Sequence, residues 1–297
     1  MVIPYFGKLP PIADYFLESA GYARDLDVLL FTDAPPKGTV PANVKVHAFT
    51  LAGFNALASR TLGISVQLPT PFKLCDFKPT YGIVFQEYLR DYGFWGFGDL
   101  DVIYGDVAHF LAPLVEDQDI ISCRKAWISG SLCVLRNCPK VNSAYTNSAD
   151  WERVLATPGY QGFDELGGDN CKDAFTHVAK RLQGEGALRC SFRDLACEGL
   201  AWGDTLVYDH GKITRCRDGA PVMYVHTVVM KRRFFYLPDG EGDRSRLYIR
   251  NTGVYPVGGS VSGRYIREVG RVFRGGASCF ARLIRRVSDP RPHRHGE

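Results

Sequence analysis

Phe94-Trp95-Gly96-Phe97-Gly98-Asp99-Leu100-Asp101-Val102-Ile103-Tyr104 places two acids between two apolar runs. The first run is short, aromatic and glycine-interrupted, as a buried strand is, and apolar character resumes directly after Asp101. Carboxylates between buried runs lose hydration and repel each other, and a divalent cation that prefers oxygen ligands offsets both costs. Asp99 and Asp101 are therefore expected to hold Mn²⁺ or Mg²⁺. The D-x-D spacing alone decides nothing, because it recurs at Asp25/Asp27 and Asp117/Asp119 in polar turn segments where solvated acids are ordinary. The plainer alternative for Asp99 and Asp101 is an acidic turn leading into a helix capped by Asp106.

Upstream, residues 2–6, Val28–Thr32 and 44–49 read as strands, with helical spacing at Leu51–Leu62 and 81–92. Strands alternating with helices predict an α/β protein with a largely parallel sheet. The strands end in Gly7-Lys8-Leu9-Pro10, Asp33-Ala34-Pro35-Pro36 and Thr50, the edge at which open α/β sheets bind ligands. Downstream, strands are expected at 119–123, 131–135 and 222–225, and helices at 150–155 and 171–182.

The chain has 297 residues, of which 45% are hydrophobic, enough for one large core. Nine cysteines without a CxxC pair predict reduced core thiols and no structural zinc. No apolar run reaches a membrane-spanning length and the N-terminus lacks a signal-peptide charge pattern, so a cytoplasmic protein is expected. The net charge of +4 comes from the end of the chain, where seven arginines and the single acid Glu268 lie between Arg264 and Arg286. Ile266, Val269, Val272 and Phe273, then Phe280, Leu283, Ile284 and Val287, fall at helical spacing among those arginines. This pattern predicts an amphipathic segment that rests on an anionic membrane surface, on the inner face of the cytoplasmic membrane, with no nucleic-acid partner expected; the plainer alternative is a helix packed on the rest of the protein with its arginines solvated.

The segment FWGFGDLDVIYGDVAHFL, with PFKLCDFKPTYGIVFQEYL before it, VIPYFGKLP at Val2–Pro10 and LLFTD at Leu29–Asp33, resembles a family of bacterial GT-A glycosyltransferase-like proteins over roughly the first 110 residues. The resemblance implies a GT-A (nucleotide-diphospho-sugar transferase) fold, an α/β architecture with a mixed, mostly parallel central sheet flanked by helices. It implies a catalytic domain at 1–237, with a nucleotide-sugar half at 1–110 and an acceptor half at 111–237, followed by a basic amphipathic appendage at 238–297. The implied activity is metal-dependent hexosyl transfer from a nucleoside-diphosphate-sugar donor to a glycan or lipid-linked acceptor during bacterial surface polysaccharide synthesis.

Carried over residue by residue, Pro4, Tyr5 and Phe6 would line the nucleotide pocket and Asp33 would approach the nucleoside. Lys73, Asp76 and Lys78 form a polar set for phosphate and donor sugar, with helix capping by Asp76 the alternative. Asp99 would meet the donor as well as the metal. Met223-Tyr224-Val225-His226 and Lys231 loosely resemble the stage of such chains that supplies a third ligand, His226, and a phosphate-binding lysine, with an ordinary satisfied strand histidine the alternative. For the acceptor, Trp127, Ser129 and Gly130 offer an aromatic platform beside small residues, and the acidic loop at Asp164 and Glu165 offers a catalytic carboxylate, against the alternative of a solvated loop. Inversion and retention are both compatible with that pair.

The chain has no GxxxxGK[ST], no GxGxxG after the first strand, no HExxH and no G-x-S-x-G. The competing readings are a nucleotidyltransferase, whose glycine-rich triphosphate loop is missing, and a non-catalytic lipid- or nucleic-acid-binding protein, which leaves the paired acids unexplained.

Overall fold

The computed structural model describes residues 1–231, 235–238, 244–257 and 263–266. In Val28–Thr32 all five residues are buried, as in a parallel strand covered on both faces. It is β2 of a seven-stranded sheet made of β1 (Val2–Pro4), β2, β3 (Val44–Ala48), β4 (Phe94–Gly98), β6 (Ile120–Ser122), β7 (Leu132–Arg136) and β8 (Cys190–Phe192). The order is β3-β2-β1-β4-β7-β6-β8, with every pairing parallel except the two made by β7. The fold is thus mixed α/β, with a mostly parallel sheet flanked by helices. The C-terminal ends of β1, β2 and β4 and the start of β7 share one edge.

The helix Leu51–Leu62 forms where its spacing predicts, because both ends are specified locally. Thr50 accepts a hydrogen bond from the Gly53 amide at 3.0 Å, and Gly63 ends the helix at φ 70°, a left-handed conformation that glycine adopts without strain. The helix expected at 81–92 is instead one α-turn, Tyr81–Val84, followed by the 3₁₀ turn Gln86–Tyr88. Tyr81, Val84, Phe85 and Leu89 are all buried, and the Asn137 side chain donates to the carbonyls of Leu89 and Tyr92 at 2.8 Å each, which turns the chain into β4. The helix Ala13–Tyr22 was not expected from the sequence.

The strand expected at 222–225 divides. Pro221–Val222 (β12) joins a second sheet, whereas Tyr224–His226 (β13) pairs with β5 (Val102–Tyr104) and β9 (Ala196–Cys197) in a third. The second sheet also contains β10 (Leu206–Asp209), β11 (Lys212–Arg215), β14 (Phe235–Pro238), β15 (Arg246–Arg250), β16 (Gly253–Pro256) and β17 (Gly263–Ile266). The boundary expected at residue 237 falls inside β14, in a sheet that takes strands from both sides of it. Among the described residues no helix is long and apolar enough to cross a membrane. The basic amphipathic segment expected to meet a membrane surface lies, beyond Ile266, outside the described residues.

The glycines of Phe94–Gly98 have a steric reason. A Cβ on Gly96 would stand 2.5 Å from the Cys133 carbonyl oxygen and 2.7 Å from the Met1 sulfur. Gly96→Ala is expected to destabilise the fold by ~1–3 kcal/mol, the usual cost of overpacking, whereas Gly93→Ala, with nothing within 4 Å of its Cβ, is expected to be near neutral. Urea unfolding of the two variants checks this.

Candidate metal centre and acidic cleft

Two lysines close together in sequence take different places. Lys73 is 1% exposed, and its ammonium donates to Asp76 Oδ2 at 2.7 Å, the Val154 carbonyl at 2.7 Å and the Gly159 carbonyl at 2.9 Å. Three acceptors satisfy all three of its donors. Asp76, fully buried, also accepts from the amides of Gln161 at 2.8 Å and Phe163 at 2.7 Å. Burial raises the Asp76 pKa above the usual range, against the pull of Lys73 and the two amides. Neither residue is available to phosphate or donor sugar, as had been expected of them. Together they fasten the segment 154–163, which carries the chain to Asp164.

Lys78 does reach the cleft. Its ammonium lies 2.7 Å from Asp99 Oδ1, donates to the Gly130 carbonyl at 2.9 Å and stands 3.6 Å from Asp164 Oδ2. Burial alone would lower its pKa, but Asp99 and Asp164 overcome that and hold it charged. Asp164 is 2% exposed and also accepts from the Tyr160 hydroxyl at 3.3 Å. The neighbouring Glu165, half-buried, accepts from the Gly130 amide at 2.8 Å. Burial pushes both carboxyls above their ordinary range, Asp164 the more strongly. Gly130 fits this corner because a Cβ there would lie 2.9 Å from Asp164 Oδ2 and 3.0 Å from Glu165 Oε1.

Asp99 follows the last residue of β4, with its amide on the Ser131 carbonyl at 3.3 Å. Three residues on, β5 pairs with β13 so that Val102 faces His226, and the Thr227 amide and hydroxyl both donate to the Asp101 carbonyl at 2.9 Å. This cross-strand register brings the imidazole to the acids: His226 Nε2 is 3.2 Å from Asp101 Oδ1 and 3.8 Å from Asp99 Oδ2. One ligand atom from each of Asp99, Asp101 and His226 lies within 4.8 Å of the others. Two carboxylate oxygens and an imidazole nitrogen suit Mn²⁺ or Mg²⁺. Behind the ring, Glu198 stands 3.7 Å from Nδ1 and 3.8 Å from Arg124, an ion-pair rather than a hydrogen-bond distance. Burial by itself would lower the His226 pKa; Asp101, Glu198 and Asp99 more than reverse that and push it up to about 10.

The family model for DUF6625, a family of unknown function, matches residues 1–255. The chain belongs to that family. No curated protein and no solved structure matches it.

The other expected site residues divide. Pro4 ends β1 and Tyr5 follows it, both half-buried, whereas Phe6 turns into the core. Asp33 is exposed at the end of β2 and accepts from the Gly7 amide at 2.7 Å, tying the first two strand ends together. Ser129 is fully buried, with its hydroxyl 2.9 Å from that of Ser131 and 3.4 Å from that of Tyr224, so it faces the interior and not an acceptor. Trp127 is half-buried with the Arg124 guanidinium 4.7 Å from its ring centroid. Lys231 closes the short helix Val228–Lys231, and its side chain lies outside what the structure describes. Sequence reasoning missed Glu198, Arg124 and Tyr160, which stand in segments without periodicity; only an acid beside Gly199 and a cation at the end of a strand marked the first two.

Lys73→Met leaves the Asp76 carboxyl buried without its cation, and is expected to cost about 3–5 kcal/mol in urea unfolding. A second expectation concerns pH in metal-free protein. His226 is more basic folded than its ordinary value of 6.5, so its contribution to stability is complete below about 6.5 and is lost as pH rises through about 10. The stability difference between wild type and His226→Gln should therefore shrink over that interval, as measured by unfolding at several pH values in chelator.

Proposed function

We propose that this chain is a metal-dependent glycosyltransferase of GT-A type, transferring a sugar from a nucleoside-diphosphate donor to a glycan or lipid-linked acceptor. The observation that carries the reading is the convergence of Asp99, Asp101 and His226, with ligand atoms within 4.8 Å, at the C-terminal end of a central parallel strand. Ligands of open α/β sheets bind at that edge. The sheet order, with β7 alone running opposite, and the resemblance in the first 110 residues point the same way.

Asp99, Asp101 and His226 would hold Mn²⁺ or Mg²⁺, which supplies a positive charge to set against a diphosphate leaving group. His226 must be neutral to act as a ligand, so metal uptake displaces its proton. Lys78 keeps Asp99 oriented and places a fixed cation between Asp99 and Asp164. Tyr5 and Asp33 lie at the ends of β1 and β2, where the nucleoside would sit. Of the two loop acids, Asp164 is sealed between Lys78 and Tyr160, whereas Glu165 is the more open. Its greater openness makes Glu165 the better placed proton acceptor for an incoming hydroxyl, its pKa is raised by burial, and the Gly130 amide steadies it. Asp164 serves to position Lys78.

The test is hydrolysis and transfer across a panel of UDP-, GDP-, dTDP- and CMP-sugars with Mn²⁺ and with EDTA. Asp99→Ala and Asp101→Ala are expected to abolish metal-dependent turnover, while Asp25→Ala and Asp117→Ala leave it nearly intact. Turnover indifferent to EDTA, or equal losses in all four variants, would remove the metal site from the function.

A further inference from the structure

Large aromatic side chains exposed beside buried carboxylates call for an explanation. Among the described residues, Phe72 is 48% exposed and Tyr160 38% exposed. Distant in sequence, they meet edge to face with ring centroids 4.9 Å apart. Of the other exposed aromatic residues described, Tyr22 lies against Tyr208 and His210, Tyr88 against Phe31 and His47, and Trp202, 83% exposed, stands in the segment between β9 and β10.

The pair is built and not incidental. Lys73, next to Phe72, holds the carbonyl of Gly159, next to Tyr160, and Asp76 takes the amide of Gln161 on the other side. The buried clamp therefore fixes both backbones that present the rings. Tyr160 is anchored at its tip, because its hydroxyl donates to Asp164 Oδ1 at 3.3 Å, while its ring remains open. Burial of that hydroxyl, with Asp164 beside it, raises its pKa well above the ordinary value and keeps it a donor. The rings are thus one hydrogen bond from Asp164, which is itself linked through Lys78 to Asp99.

A pre-formed aromatic surface next to carboxylates suits a ligand with an apolar face and hydroxyls on its rim, which describes a pyranose ring. A phosphorylated ligand fits poorly here, because Asp164 and Glu165 lie beside the rings. Trp127, the platform expected from the sequence, already carries the Arg124 guanidinium at 4.7 Å. We infer that Phe72 and Tyr160 form an acceptor subsite, on which a pyranose ring of the acceptor saccharide stacks beside Asp164 and Glu165. This rests on the glycosyl-transfer reading above.

The experiment uses the full chain and saturation-transfer NMR with the methyl pyranosides of glucose, galactose, mannose and N-acetylglucosamine, and with lactose. At least one is expected to receive saturation from wild type, and Phe72→Ala and Tyr160→Leu are each expected to weaken its binding roughly three- to tenfold. Phe72 is exposed on a short 3₁₀ turn, so its variant is expected to keep the wild-type unfolding midpoint even if Tyr160→Leu does not. In turnover assays Phe72→Ala should raise the acceptor KM by the same factor while metal-dependent donor hydrolysis without acceptor stays within about twofold. The subsite is overturned if wild type binds none of these saccharides, if both variants bind them as wild type does, or if Phe72→Ala weakens UDP or GDP binding instead. Absence of donor hydrolysis by wild type would count against the glycosyl-transfer reading, whereas normal hydrolysis with unchanged saccharide binding in the variants would count against the subsite alone.

Discussion

The cleft depends on a carboxylate that has no access to water. Asp76 is surrounded by the Lys73 ammonium and the amides of Gln161 and Phe163, and Lys73 spends its other two donors on the carbonyls of Val154 and Gly159. A buried pair of this kind adds little net stability over an apolar replacement, since desolvating two charges offsets most of their attraction. What it does impose is geometry. Each polar group has one arrangement that satisfies it, so the loop from Val154 to Phe163 has one path over the sheet edge. Asp164, Glu165 and the exposed ring of Tyr160 follow from that path.

A second lysine, Lys78, joins this loop to the sheet. It lies among Asp99, the Gly130 carbonyl and Asp164, groups brought from the end of β4, the approach to β7 and the acidic loop. Without a cation there, Asp99 and Asp164 would be neighbouring acids in a poorly hydrated cleft. The sheet supplies the remaining constraint. β4 belongs to the large sheet, while β5, three residues later, leaves it for the small sheet with β13. Asp99 and Asp101 occupy the crossing between two sheets, and the strand that receives β5 ends in His226. The candidate metal-ligand set is therefore a product of sheet topology as much as of the acidic motif. On the far side of the imidazole, Glu198 comes from just past β9 and its partner Arg124 from just past β6.

The sequence by itself determined those features whose causes lie within a few residues. The run Val28-Leu29-Leu30-Phe31-Thr32, apolar but for its last residue, and the cap pair Thr50 and Gly63 around Leu51–Leu62, specify a strand and a helix without reference to anything distant. Acids set between two apolar runs marked Asp99 and Asp101 as the unusual D-x-D pair among three, because burial of the flanking runs is itself a local signal. Tertiary structure alone decided the fate of the polar residues around them. Lys73 and Lys78 look equivalent in PFKLCDFKPT, yet one is satisfied by Val154 and Gly159 and the other by Asp99 and Gly130. Ser129 reads as a surface residue and is buried against Ser131 and Tyr224, while the run 81–92 has helical spacing and breaks because it is buried on more than one side. Apolar periodicity and capping are properties of a short stretch of chain, but where a charge can be buried is set by the groups that come to meet it, and those arrive from residues far along the chain.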